Sequence, residues 1–74
     1  MFLYKPELAE HFRTLYPEGT RLRMIHMEDP YPVPTGTEGT VTNVDDNAQV
    51  HVQWDSGSTL ALHPLEDEFE VITE

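Results

Sequence analysis

Four histidines, His11, His26, His51 and His63, are spread through a chain of 74 residues that also carries fourteen carboxylates. In the right arrangement such donors bind zinc or move protons. Their spacing does not provide that arrangement: there is no HExxH or CxxC, and Asp45-Asp46-Asn47 lacks the glycine and distal glutamate of a calcium loop. Asp45-Asp46-Asn47 reads instead as a turn whose side chains cap their own backbone. No GxSxG, phosphate loop or dinucleotide fingerprint occurs, and the serines are confined to Ser56-Gly57-Ser58. A chain this short also has little volume for an ordinary substrate pocket. The expectation is therefore a non-enzyme with no catalytic residue, no metal and no cofactor.

What remains is binding chemistry. Tyr31 sits in Glu28-Asp29-Pro30-Tyr31-Pro32-Val33-Pro34-Thr35-Gly36, where three prolines in five residues cannot donate to a ladder and keep the chain extended. A stiff loop with an aromatic at its tip loses little entropy on binding, so Tyr31 is a candidate contact, against the alternative of a ring packed over an open sheet edge. Trp54, the only tryptophan, is the other candidate anchor, with the core as its alternative. The acidic turn residues Glu38, Asp45, Asp46 and Asp55 complete the predicted partner-binding set.

Charge narrows the partner. The formal net charge is −10, and the four cations, Lys5, Arg13, Arg21 and Arg23, all precede residue 24, leaving eleven carboxylates and no lysine or arginine after it. Such a field repels phosphate backbones and attracts basic surfaces. The implied partner is a protein with a basic surface, with neither nucleic acid nor membrane bound directly. No apolar run approaches a bilayer span, the first residues lack the basic region of a secretory signal, and cysteine is absent. A cytoplasmic protein is expected.

Those residues need a frame, and residues 36–62 supply it. Val50, Val52 and Trp54 alternate with His51 and Gln53, which is strand periodicity with three apolar side chains on one face. Leu60 and Leu62 repeat the spacing after Asp55-Ser56-Gly57-Ser58, a turn whose glycine can take positive φ. Upstream, Thr40–Val44 and the turn at Asp45-Asp46-Asn47 make another hairpin. Residues 20–27 read as a first strand with Leu22 and Met24 on one face and Arg21, Arg23 and Ile25 on the other. Phe69–Ile72 reads as the last. Residues 5–15 read as a helix, with Pro6 in its first turn, Glu7 and Glu10 near the positive end of its dipole, and Leu8, Phe12 and Leu15 along one face. Five short strands with a long first loop predict a mainly β fold, a small five-stranded antiparallel barrel behind a short N-terminal helix. The predicted core is Leu22, Val41, Val44, Val50, Val52, Leu60, Leu62, Phe69 and Val71.

The string GTEGTVTNVDD followed by QVHVQWDSGS resembles the strand–turn–strand signature of SH3-like small barrels, which include KOW and Tudor-type modules. From Tyr16 to Ile72 the chain is similar to a domain-of-unknown-function family of short proteins in Gram-positive and gut bacteria, their phages and mobile elements. The resemblance implies an SH3-like barrel over residues 16–74, leaves residues 1–15 as a variable extension and transfers no catalytic or binding residues. So small a domain needs the apolar area of that extension, so its helix is expected to pack on the barrel, with partner binding as the alternative. KOW loops are basic, whereas the matching loops here carry Glu38, Asp45, Asp46 and Asp55. A Tudor-type aromatic cage would have only Tyr31, Trp54 and Tyr16 to draw on. Two functional readings follow. One is a small non-catalytic acidic protein-interaction module. The other is an acidic inhibitor encoded by a phage or mobile element, a nucleic-acid mimic of the anti-CRISPR kind that would occupy a basic channel of a host defence protein.

Overall fold

The computed structural model describes residues 5–72. The first four residues of the expected extension lie outside the described residues. One helix, α1 (Lys5–Leu15), precedes four strands: β1 (Arg21–His26), β2 (Glu38–Val44), β3 (Val50–Trp54) and β4 (Glu68–Val71). The strands form a single antiparallel sheet in the order β3-β2-β1-β4.

Helix α1 has the polarity its sequence suggests, with Glu7 in the first turn and Arg13 in the last. It ends where Pro17 disfavours helical geometry in the residue before it: Tyr16 N–H still donates to Phe12 O at 2.7 Å, and the chain then turns through Gly19 at φ 93°. The buried stripe is rotated from the expected one. Ala9 and Phe12 are inside and Tyr16 packs against them, while Leu15 is 48% exposed. The small Ala9 side chain lets the helix approach the core closely, and that contact turns Leu15 outward.

The sheet follows the alternation of its sequence. In β1, Leu22 and Met24 point into the core and Arg21 and Arg23 lie half-buried on the other face. Val50, Val52 and Trp54 are buried along β3 opposite Val44, Val41 and Gly39 of β2. Gly39 is required at its position. A Cβ there would stand 2.6 Å from Val52 Cγ1 and 2.8 Å from Trp54 Cε3, so the indole occupies space that any other residue would claim. Strand β2 therefore starts at Glu38, earlier than the turn-like Gly36-Thr37-Glu38-Gly39 suggests.

Three expectations are corrected. The fifth strand expected around Leu60 and Leu62 is reduced to one isolated bridge, Val50 to Leu62, with mutual N–H to O bonds of 2.9 Å. Side chains have taken the backbone groups a ladder would use: Trp54 Nε1 donates to Leu60 O at 2.9 Å, and Leu60 N–H donates to Ser58 Oγ at 3.3 Å. Pro64 follows and removes a further donor. Leu60 is consequently 36% exposed, and Val71, at the end of the edge strand β4, is 46% exposed. Phe69 is half-buried against Tyr16, ring centroids 5.3 Å apart. The third correction concerns Trp54. At 1% exposure it is one of the largest core side chains and cannot serve as a surface anchor. Met27, Val33 and Ala48, all outside the strands, complete a core that strand periodicity alone could not disclose.

Candidate interaction surface

The loop from Met27 to Thr37 projects Tyr31 into solvent at 85% exposure, yet its flanks are fixed. Met27 and Val33 are buried, and Val33 N–H points at Met27 Sδ at 3.4 Å. On the return side Gly36 N–H donates to Met24 O at 2.7 Å, Met24 N–H donates to Thr37 O at 2.8 Å, and Thr35 Oγ1 donates to Ile25 O. At the tip Asp29 Oδ1 accepts from Tyr31 N–H at 2.8 Å, an Asx turn that sets the direction of the tyrosine. An aromatic side chain is thus held out on a backbone that is already ordered. Of the three aromatics available for a cage, Tyr31 alone is at the surface, since Trp54 is in the core and Tyr16 packs between Phe12 and Phe69.

The start of this loop is bound by a residue that the sequence did not single out. Asp67 is 6% exposed and accepts two backbone N–H bonds, from Glu28 at 2.9 Å and from His63 at 2.8 Å. One carboxylate thereby joins the Tyr31 loop to the turn before β4. Nothing local distinguishes Asp67 from Glu66 and Glu68. Its burial follows from β4 pairing with β1 and bringing residues 63–67 against the end of β1.

The acidic turns behave differently from the loop. Arg21 makes a bidentate pair with Asp55 at 2.9 and 2.8 Å and reaches Glu38 at 3.3 Å; Arg23 joins Glu38 at 3.4 Å to Glu70 at 2.6 Å. Arg13 contacts Asp46 at 2.9 Å and Glu10 at 2.8 Å, and its Nε donates to Val44 O. The bond from Arg21 is the main cause holding the Asp55 carboxyl below its ordinary pKa. Asp45 faces inward over its own turn: Oδ1 accepts from Asn47 and Gln49 N–H, and Oδ2 lies 2.8 Å from His51 Nε2. Burial alone would raise its pKa, but the His51, Gln49 and Asn47 bonds together outweigh it and leave it lowered. Glu38, Asp45, Asp46 and Asp55 each have a partner within the protein, and Asp46 nonetheless stays 96% exposed. The arginines crowded into the first third of the chain fold back over the acidic remainder.

Among the described residues no group of three or more histidines and carboxylates is placed to hold a metal ion. His26 pairs with Glu28, His51 with Asp45, and His63 lies 3.4 Å from Gln49 Nε2. Among the same residues no helix is long and apolar enough to cross a membrane.

Fold and surface together define a small, mainly β domain that presents one ordered aromatic loop on an acidic body. Residues 5–72 match the family described as a domain of unknown function, DUF4314, and the chain belongs to it. The match takes in helix α1 as well as the sheet, consistent with the packing of Ala9 and Phe12 into the core. No curated protein matches the chain.

Proposed function

We propose that this protein is a small non-catalytic interaction module with an SH3-like architecture, and that it binds a basic protein surface through the Tyr31 loop. The architectural part is supported by strand order. Counting the Leu62 bridge as a vestigial strand beside β3 gives a run of neighbours from Leu62 through β3, β2 and β1 to β4, the meander with returning last strand expected of such a barrel.

The observation that carries the functional part is an 85% exposed tyrosine on a loop tethered at both ends. Interface energy concentrates in aromatic anchors, and ordering the loop beforehand removes much of the entropic cost of using one. Glu28 and Asp29 lie in the same loop, and Glu68 stands opposite His26 in the sheet register. These carboxylates favour lysine or arginine beside the ring, where a cation can also stack on its face. The arginine pairs at Glu38, Asp46 and Asp55 offset charge at those turns, where Asp46 stays 96% exposed, and the turns carry no exposed aromatic anchor. The binding surface is accordingly assigned to the loop and not to those turns.

The test is affinity capture from the native host with the wild type and Tyr31→Ala, each with and without nuclease. The reading expects a basic protein that survives nuclease, is lost with Tyr31→Ala, and associates more slowly as salt rises. Capture that disappears with nuclease, or that ignores Tyr31, overturns it.

A further inference from the structure

A second surface lies on the other side of the Asp67 staple. Helix α1, the β2–β3 turn and the segment before β4 enclose a groove of about 460 Å³ lined by Leu8, Phe12, Ala48, Gln49, Pro64 and Leu65. Leu65 stands at its wall and is 57% exposed, although the turn carrying it is tightly held. Glu66 and Asp67 N–H both donate to His63 O, at 2.9 and 2.8 Å, while Asp67 Oδ2 accepts from His63 N–H. The opposite wall is equally fixed: Ala48 adopts φ 64°, a conformation unfavourable for a residue with a Cβ, and its methyl group is buried there. Folding thus leaves a leucine in water beside an apolar floor, on a backbone that need not move to receive a ligand.

The geometry points to this groove as the seat for one apolar side chain of a peptide segment that carries lysine or arginine next to it. The charge around it selects that occupant. Glu66 lines the groove, and among the described residues no lysine or arginine does; His63, the other titratable side chain lining it, lies 3.4 Å from Gln49 Nε2. Arg13, on the same helix, is committed to Asp46, Glu10 and Val44 O. An anionic metabolite would meet the Glu66 carboxylate, whereas a basic segment gains Glu66 as a partner and apolar contact on Leu65 and Phe12. Gln49 and Asn47 at the rim offer amides to its backbone.

This assignment rests on the reading that the partner is a basic protein, and it adds a second contact to the Tyr31 loop. It is tested by selecting short random peptides displayed on phage against the immobilised full chain, then measuring the enriched peptides on wild type, Leu65→Ser and Tyr31→Ala. Enrichment of an apolar residue adjacent to lysine or arginine is expected, with binding about tenfold or more weaker on Leu65→Ser and little changed on Tyr31→Ala. Because Leu65 is exposed, Leu65→Ser should melt close to wild type, which separates lost binding from lost folding. Peptides that depend on Tyr31 and not on Leu65 would overturn the groove and leave the loop reading standing. No enrichment, acidic peptides, or self-association of the wild type in sedimentation that Leu65→Ser abolishes would each overturn it as well.

Discussion

The two acidic regions of this molecule look alike as text and differ in what their charges do. Around Glu38, Asp45, Asp46 and Asp55 every carboxylate meets an arginine, a histidine or a backbone donor. On the other side Asp67 is consumed by two backbone N–H groups, yet it serves to hold out Tyr31 and Leu65, whose side chains stay in solvent. Spare acidity therefore says little about where a partner binds. An exposed apolar group on an ordered backbone says more, because the cost of ordering has been met during folding.

The most damaging change is one that removes the sheet both regions share. Val52 is 2% exposed between Val41 and the floor of the core, so Val52→Asp buries a carboxylate without a partner. That costs several kcal/mol, against a total stability on the order of 5 kcal/mol for so small a domain. Loss of the cooperative melting transition is expected, and a folded Val52→Asp variant would contradict the observed register.

Next comes the staple. Asp67→Ala leaves the Glu28 and His63 N–H groups without an acceptor, at about 1–3 kcal/mol for each orphaned donor. Hydrogen exchange should rise first at Glu28 and His63, with the Asp45 turn unchanged. Equal loss of protection in both regions would show that they are not separable and would erase the comparison.

Acid distinguishes the engaged carboxylates by sign. Asp45 and Asp55 both titrate lower in the folded protein than their ordinary value. A lowered folded pKa means the unfolded state takes up protons first, so the stabilisation is complete above the unfolded pKa, about 4, and is lost as pH falls below it. Chemical denaturation at pH 7 and near pH 3 should show this loss, and Asp45→Asn combined with Asp55→Asn should make it shallower. A slope that the double variant leaves untouched would assign acid sensitivity to other carboxylates.

Much of this frame could be read in advance from local pattern. The alternation of Val50, Val52 and Trp54, the glycine turn at Gly57 and the helix punctuated by Pro6 and Pro17 all depend on residues close in sequence. The shortfalls rest on side-chain contacts that no helix or strand period encodes, whether six residues apart or thirty-four. Whether Leu60 continued a ladder depended on Trp54 Nε1 claiming its carbonyl, and whether Asp55 was free depended on Arg21, 34 residues earlier. Met27 and Val33 became core by folding a proline-rich loop onto itself, which no periodicity encodes. The stiffness around Tyr31 was legible because prolines are a local constraint, whereas its 85% exposure, as against packing over a sheet edge, was not. Nor was Asp67, since its two partners are set by tertiary pairing.

The smallest expected effect is that of salt, and it sharpens the comparison most directly. At a net charge of −10 the carboxylates repel one another over distances that salt screens strongly, whereas ion pairs in contact are screened less. Melting temperature should therefore rise modestly with sodium chloride near neutrality. Arg21→Gln removes the counter-charge of Asp55 and one of the two at Glu38, converting local attraction into uncompensated repulsion. The variant should melt lower than wild type in low salt and gain more from added salt, so that the two curves converge. Exposed pairs contribute little individually, and the informative quantity is the difference in slope. Parallel curves would mean that the arginines do not organise the acidic turns, and Glu38 and Asp55 would again be available to a partner.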